Sequence, residues 1–114
     1  MRTSIKKGEI KMVNKGRLAL RTEFFLVKAR QTELSVTRTA FAFSRKAGNA
    51  VTRNLFKRRI RAIVMSVAPK DTGQDLFFIA RRPFKGLSRA LWHKEKSCIR
   101  KWFEGYQPIH PVAP

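Results

Sequence analysis

Apolar positions along the chain change period several times, and each change marks an element. Between Lys6 and Lys15, Ile10 and Val13 share one side of a helical projection, and Gly16 supplies a stop. Arg17 to Leu20 reads as a short strand, and Thr22-Glu-Phe-Phe-Leu-Val-Lys-Ala29 as a firmer, largely buried one. Gln31 to Glu33 reads as a turn. Thr39-Ala-Phe-Ala-Phe-Ser44 alternates strictly, with Phe41 and Phe43 on one face and Ala40, Ala42 and Ser44 on the other. The aromatic face predicts a covering helix. The small side chains opposite leave room for another element or a ligand.

The period then switches. Gly48 allows a sharp turn, Asn49 can cap a first helical turn, and a helix is predicted to about Ala68, where Pro69 stops it. Phe56, Ile60, Ile63 and Val67 form its apolar stripe. Pro69 to Gln74 reads as loop. Asp75-Leu-Phe-Phe-Ile-Ala-Arg81 is a continuous apolar run of the kind found in central strands, ended by Pro83. Leu87, Leu91, Cys98, Ile99 and Trp102 predict a last helix over 86–104, with Gly105 as its stop. The order is α-β-β-β-α-β-α, an α+β fold of the α-β sandwich type. Residues 1–106 make one domain; 107–114 hold three prolines and are expected to form a mobile tail.

Charge narrows the function. Lys and Arg number 26 against seven acidic residues, giving a net charge of +19. Repulsion on that scale disfavours compaction, so a polyanionic partner should stabilise the fold. A hydrophobic content of 43% with nine Phe is too high for a disordered basic tail. Cys98 stands alone, which rules out an internal disulfide, and its helical phase suggests a small buried hydrophobe. No apolar run approaches the ~20 residues of a membrane span, and no apolar stretch follows Met1 to Lys7 as a secretory signal would require. Cytoplasmic residence is the default expectation. Two histidines, no close carboxylate pair and no glycine-rich phosphate loop make a poor catalytic inventory, so no catalytic or metal-binding residue is assigned.

The cations have a pattern. From Arg53 onward at about 100° per residue, Arg53, Asn54, Lys57, Arg58 and Arg61 fall within an arc of roughly 140°. Among these cations only Arg59 points away. Arg45 and Lys46 precede the helix N-terminus, whose free amides and dipole favour phosphate. Arginine adds bidentate geometry toward phosphate. No acidic residue lies between Glu33 and Asp71 to offset this face locally. The helix is suited to sit on a core and face RNA.

Arg45-Lys-Ala-Gly-Asn-Ala-Val-Thr-Arg-Asn-Leu-Phe-Lys-Arg-Arg-Ile-Arg61, followed by Ile79-Ala-Arg-Arg-Pro83, resembles the signature of the bacterial ribonuclease P protein subunit. The resemblance covers residues 8–104 and implies an α-β sandwich with a left-handed β-α-β crossover, against the usual right-handed preference. It implies a protein without a catalytic site that binds a catalytic RNA, one copy per RNA. That RNA, with bound Mg²⁺, removes the 5′ leader from precursor tRNA. Arg45, Lys46, Arg53, Asn54, Lys57, Arg58 and Arg61 are implied as contacts with the RNA subunit. Ile10, Phe25, Val27, Ala40 and Ala42 are the positions available to a leader-binding cleft in the sheet. The family commonly carries a cation directly after the Arg-Asn pair, where this chain has Leu55, and Arg59 is the nearest candidate to replace it. Two other classes share some of these features. A ribosomal RNA-binding protein of similar build would show the same size, charge and basic helix. A membrane-active cationic protein would need its last helix, with Trp92, Trp102 and Phe103, to leave the core.

Overall fold

The computed structural model describes residues 4–69 and 73–105; the expected proline-rich tail lies outside them. A 3-10 turn at Lys7–Glu9 leads into α1 (Ile10–Asn14), followed by β1 (Arg17–Arg21), β2 (Phe25–Gln31), β3 (Arg38–Ala42), α2 (Ala50–Val67), β4 (Gln74–Ala80), a second 3-10 turn and α3 (Arg89–Glu104). The order agrees with the α-β-β-β-α-β-α expectation. The four strands lie side by side as β1-β2-β4-β3. β1 with β2 and β2 with β4 are antiparallel, whereas β3 and β4 are parallel neighbours joined through α2.

Strand alternation assigns the two faces of the sheet. Phe25, Val27 and Ala29 on β2 and Leu76 and Phe78 on β4 join Phe56, Ile60, Ile63 and Val64 of α2 and Trp92, Ile99 and Phe103 of α3 in the main core. Phe41 packs against this core, its ring 5.6 Å from that of Phe78, and Phe43 lies within it. The predicted aromatic face of β3 is therefore the helix-covered one. On the opposite face Ile5, Val13, Ala40 and Phe77 form a second, smaller cluster with Ile10 and Ile79 against it. The room beside Ala40 is thus filled by the N-terminal segment and α1.

β2 begins later than the Thr22 start expected from the apolar run. Phe24 and Phe25 are both buried in the main core, and consecutive strand residues cannot point to one side. The chain turns instead. The Thr22 amide donates to the Phe25 carbonyl at 2.9 Å, and the Phe25 amide donates to the Thr22 hydroxyl at 3.0 Å. That hydroxyl donates in turn to the buried Glu95 carboxylate of α3, and the Arg81 guanidinium donates to the Thr22 carbonyl. In β1 the register shifts between Leu18 and Leu20, so Ala19 and Leu20 both pack on the core while Leu18 is left exposed. Gly16 follows α1 as expected. A Cβ there would lie 2.5 Å from the Ala29 carbonyl oxygen, so only glycine lets the chain leave α1 this close to β2.

The second face also carries an ion network. Arg38 donates from Nε and Nη2 to the two carboxylate oxygens of Asp75 at 2.8 Å each, and from Nη1 and Nη2 to Glu9 at 3.1 Å each. Arg30 approaches Asp75 at 3.7 Å. Asp75 is fully buried. Arg38's hydrogen bonds hold the Glu9 carboxyl below the usual carboxylate range, and its own pKa is raised, first by Asp75 and then by Glu9.

Asp75→Asn should cost about 3–5 kcal/mol in denaturant unfolding, because it breaks a buried pair and leaves Arg38 half-partnered. A loss below 1 kcal/mol would show that the network is dispensable. A carboxyl depressed in the folded state stabilises above its unfolded pKa, and that contribution disappears as pH falls through the folded value. Lowering the pH below 4.5 should therefore reduce the thermal midpoint more in the wild type than in Glu9→Gln. Parallel curves would show that Glu9 contributes nothing through Arg38.

Candidate nucleic-acid interface

The local sequence builds the basic surface in three steps. Asn49 caps α2 as predicted, its side-chain oxygen accepting from the Thr52 amide at 2.8 Å. A turn at Ser44–Ala47, closed by the Ala47 amide on the Ser44 carbonyl at 2.9 Å, carries Arg45 and Lys46 on the surface just before the helix. The Phe84 amide donates to the Ala47 carbonyl at 2.7 Å, so the turn that follows β4 is bound to the same corner. A shallow cavity of about 230 Å³ opens between them, lined by Lys46, Arg81, Arg82 and Pro83 among others. The two sequence motifs that carry the family resemblance thus meet at one place.

Along α2, the buried side is Phe56, Ile60, Ile63 and Val64. Asn54 and Arg58 are exposed, while Arg53, Lys57 and Arg61 are partly covered. Arg53 is committed on one edge. Its Nε donates to the Gly48 carbonyl at 3.1 Å and its Nη1 to the Phe43 carbonyl at 3.4 Å, which ties the helix to the strand end before it. Arg61 rests over the Phe41 ring at 5.2 Å. These contacts pre-order both side chains and leave the rest of each guanidinium to the surface. The side chains of Arg45, Lys46, Asn54, Lys57 and Arg58 form no hydrogen bond or ion pair among the described residues. A row of fixed cations beside unpaired ones at a capped helix N-terminus suits a phosphate backbone.

The other expected positions separate. Phe25 and Val27 are 0% and 2% exposed beneath the helices, so a cleft on the open side cannot use them. The apolar run of β2 had concealed which residues face which way. Ala40 is buried in the cluster with Ile5 and Val13, Ile10 is half-buried at the rim of α1, and Ala42 is exposed. The open face carries Leu26, Lys28 and Ile79 in addition, since Leu26 pairs with Ile79 and Ala42 also pairs with Ile79. Ile79 shares the parity of Phe77 on β4, whereas Leu26 and Lys28 are placed only by their pairing with Ile79 and Phe77. Arg59 does not join the basic row: it stacks over Phe56 and Trp92 at 5.4 and 5.8 Å, on the side of α3. It therefore cannot replace the cation absent at Leu55.

No group of three or more His, Cys, Asp or Glu residues among the described ones is placed to hold a metal ion. The Glu9 and Asp75 carboxylates are both turned onto Arg38. No described helix is long and apolar enough to cross a membrane, and Trp92 and Phe103 of α3 are buried in the core.

A family model described as Ribonuclease P matches residues 4–104. The chain is 30% identical over 104 residues to the Ribonuclease P protein component of Macrococcus caseolyticus, covering 90% of each. It is 33% identical over 78 residues to the protein of the same name from Citrifermentans bemidjiense, covering 68% of this chain and 67% of that one. Among solved structures it is similar to the Staphylococcus aureus RNase P protein, with a TM-score of 0.72 at 23% identity over 96% of this chain and 100% of that one. The Thermotoga maritima RNase P protein superposes with a TM-score of 0.71 at 22% identity, covering 94% and 98%. At such identities the superpositions speak for the fold.

Arg53→Ala and Arg58→Ala should part company. Losing the Arg53 ties should lower stability by about 1–2 kcal/mol, whereas Arg58→Ala, an exposed change, should stay within about 0.5 kcal/mol. Equal stabilities in urea unfolding would show that the Arg53 bonds to Gly48 and Phe43 do not hold the corner.

Proposed function

The chain belongs to the ribonuclease P protein family, and from that membership and its surface we propose how it acts in the enzyme's removal of 5′ leaders from precursor tRNA. Ribonuclease P is an endoribonuclease, and the relatives bear the name of its protein component. In our reading this protein binds the catalytic RNA through Arg45, Lys46, Arg53, Asn54, Lys57, Arg58 and Arg61, one protein per RNA. The single observation that carries it is the meeting of the Arg45–Lys46 turn, the capped start of α2 and Arg82 around one corner. Arg53, tied at that corner to the Gly48 and Phe43 carbonyls, meets phosphate with little side-chain entropy left to lose.

The leader lies on the open face of the sheet, over Ala42, Leu26 and Ile79, beside Ile10. Lys28, held by its ammonium donating to the Asn14 carbonyl at 3.0 Å, sets a positive charge at the edge of that path. This surface is aliphatic, so shape and charge do more here than base stacking. Divalent cations belong to the RNA side of the complex. The chain's own carboxylates at Glu9 and Asp75 are bound to Arg38 and do not fit a Mg²⁺ site. The protein's part is to neutralise phosphate and so lower the Mg²⁺ concentration that the catalytic RNA needs. Its working place is the cytoplasm, where precursor tRNA is met.

Cleavage of a precursor tRNA by a bacterial ribonuclease P RNA at low Mg²⁺ tests the reading directly. Adding this protein should accelerate the cut strongly and give the mature 5′ end. Tight RNA binding without acceleration would place it instead among ribosomal RNA-binding proteins. In the same assay Ala42→Asp should weaken binding of leader-bearing substrate about tenfold and leave mature tRNA unaffected, since a carboxylate would then face the leader phosphates. An equal loss for both ligands would remove the leader from this face.

A further inference from the structure

A groove of about 690 Å³ runs between α2 and α3, on the helix side of the molecule. Arg59 enters it from α2, and Arg89, His93, Lys96 and Arg100 enter it from α3. The α3 residues recur at intervals of four, three and four, the spacing of one helix face. Trp92 forms an apolar wall, and Arg59 lies over its ring at 5.8 Å. Among the described residues no carboxylate lines the groove or pairs with any of its cations. Four permanent charges facing one cleft repel each other unless an anion fills it.

Arg59 lies roughly 170° around α2 from the middle of the Arg53–Arg61 row. A phosphate strand seated along the middle of that row does not lie in the groove, because α2 with its side chains, about 10–12 Å across, stands between them. The leader path is farther still, on the opposite face of the sheet. We infer that the α2–α3 groove is a second RNA-binding surface that holds a phosphate backbone of the RNA subunit distinct from the segment bound at the basic row. A large folded RNA can reach both flanks of α2; a short leader on the sheet cannot. The inference rests on the assignment of the RNA subunit as partner.

The double variant Lys96→Gln/Arg100→Gln tests it. Neither side chain makes an ion pair among the described residues, and removing two like charges from a chain of net charge +19 should leave the thermal midpoint unchanged or raised. Binding to a bacterial ribonuclease P RNA, measured across a salt series, should weaken about tenfold near 0.15 M salt. The slope of log affinity against log salt should fall by about 1–2. In complexes saturated with protein, discrimination between leader-bearing and mature tRNA should stay as in the wild type. Wild-type affinity and slope in a folded double variant would overturn the groove as an RNA site. A loss confined to leader-bearing tRNA would overturn the RNA subunit as its occupant. If the wild-type protein itself failed to stimulate cleavage, the underlying reading would fall, and the groove with it.

Discussion

Arg38 donates to Asp75 on one side and to Glu9 on the other, and the placing of everything on the open face follows from that arrangement. The apolar cluster beneath α1 has only four buried members, and a five-residue helix has little stability of its own. The ion network ties the entry to α1, which sits across β2 and β4, to Arg38 of β3 and Asp75 of β4. By covering Ala40 and Phe77, the N-terminal segment and α1 together then fix how much of the sheet remains open. Glu95, bound to Thr22, plays a similar part on the helix side, joining α3 to the β1–β2 turn.

These ties also shape the outer field. The chain has seven acidic residues, and three of them, Glu9, Asp75 and Glu95, are turned to internal partners. What is left outside is almost wholly cationic. The free protein therefore holds its fold against its own charge, and a bound polyanion would relieve that repulsion. α2 stands at the centre of this arrangement, with its stripe on the core, its basic row on one flank and the α3 groove on the other.

Much of this was readable from residue order because it is local. Asn49 and Gly48 announced the start of α2, and the phases of Phe56, Ile60 and Ile63 put the cations of the row on the surface side. What escaped depends on partners distant in sequence. Asp75 lies 37 residues from Arg38, and nothing near either marks the pair. Phe25 and Val27 sit in an unbroken apolar run, where alternation cannot say which face is covered; only pairing with Phe78 and Ala80 does so. Arg53 looks like any other cation until the Phe43 and Gly48 carbonyls are seen beside it. Arg59 shows its direction but not its surroundings, which come from α3.

Leu55 can now be placed as well. Its phase is two residues beyond Arg53, about 200° around the helix, between Ala62 and Arg59. It is half-buried and stands off the Arg53–Lys57–Arg61 line. Replacing the family's usual cation there leaves that line unbroken and thins the charge only at the border between the row and the groove. The two cationic flanks of α2 are therefore more sharply separated in this chain than a cation at that position would make them. RNA meeting this helix would find two distinct tracks of charge with an aliphatic strip between them.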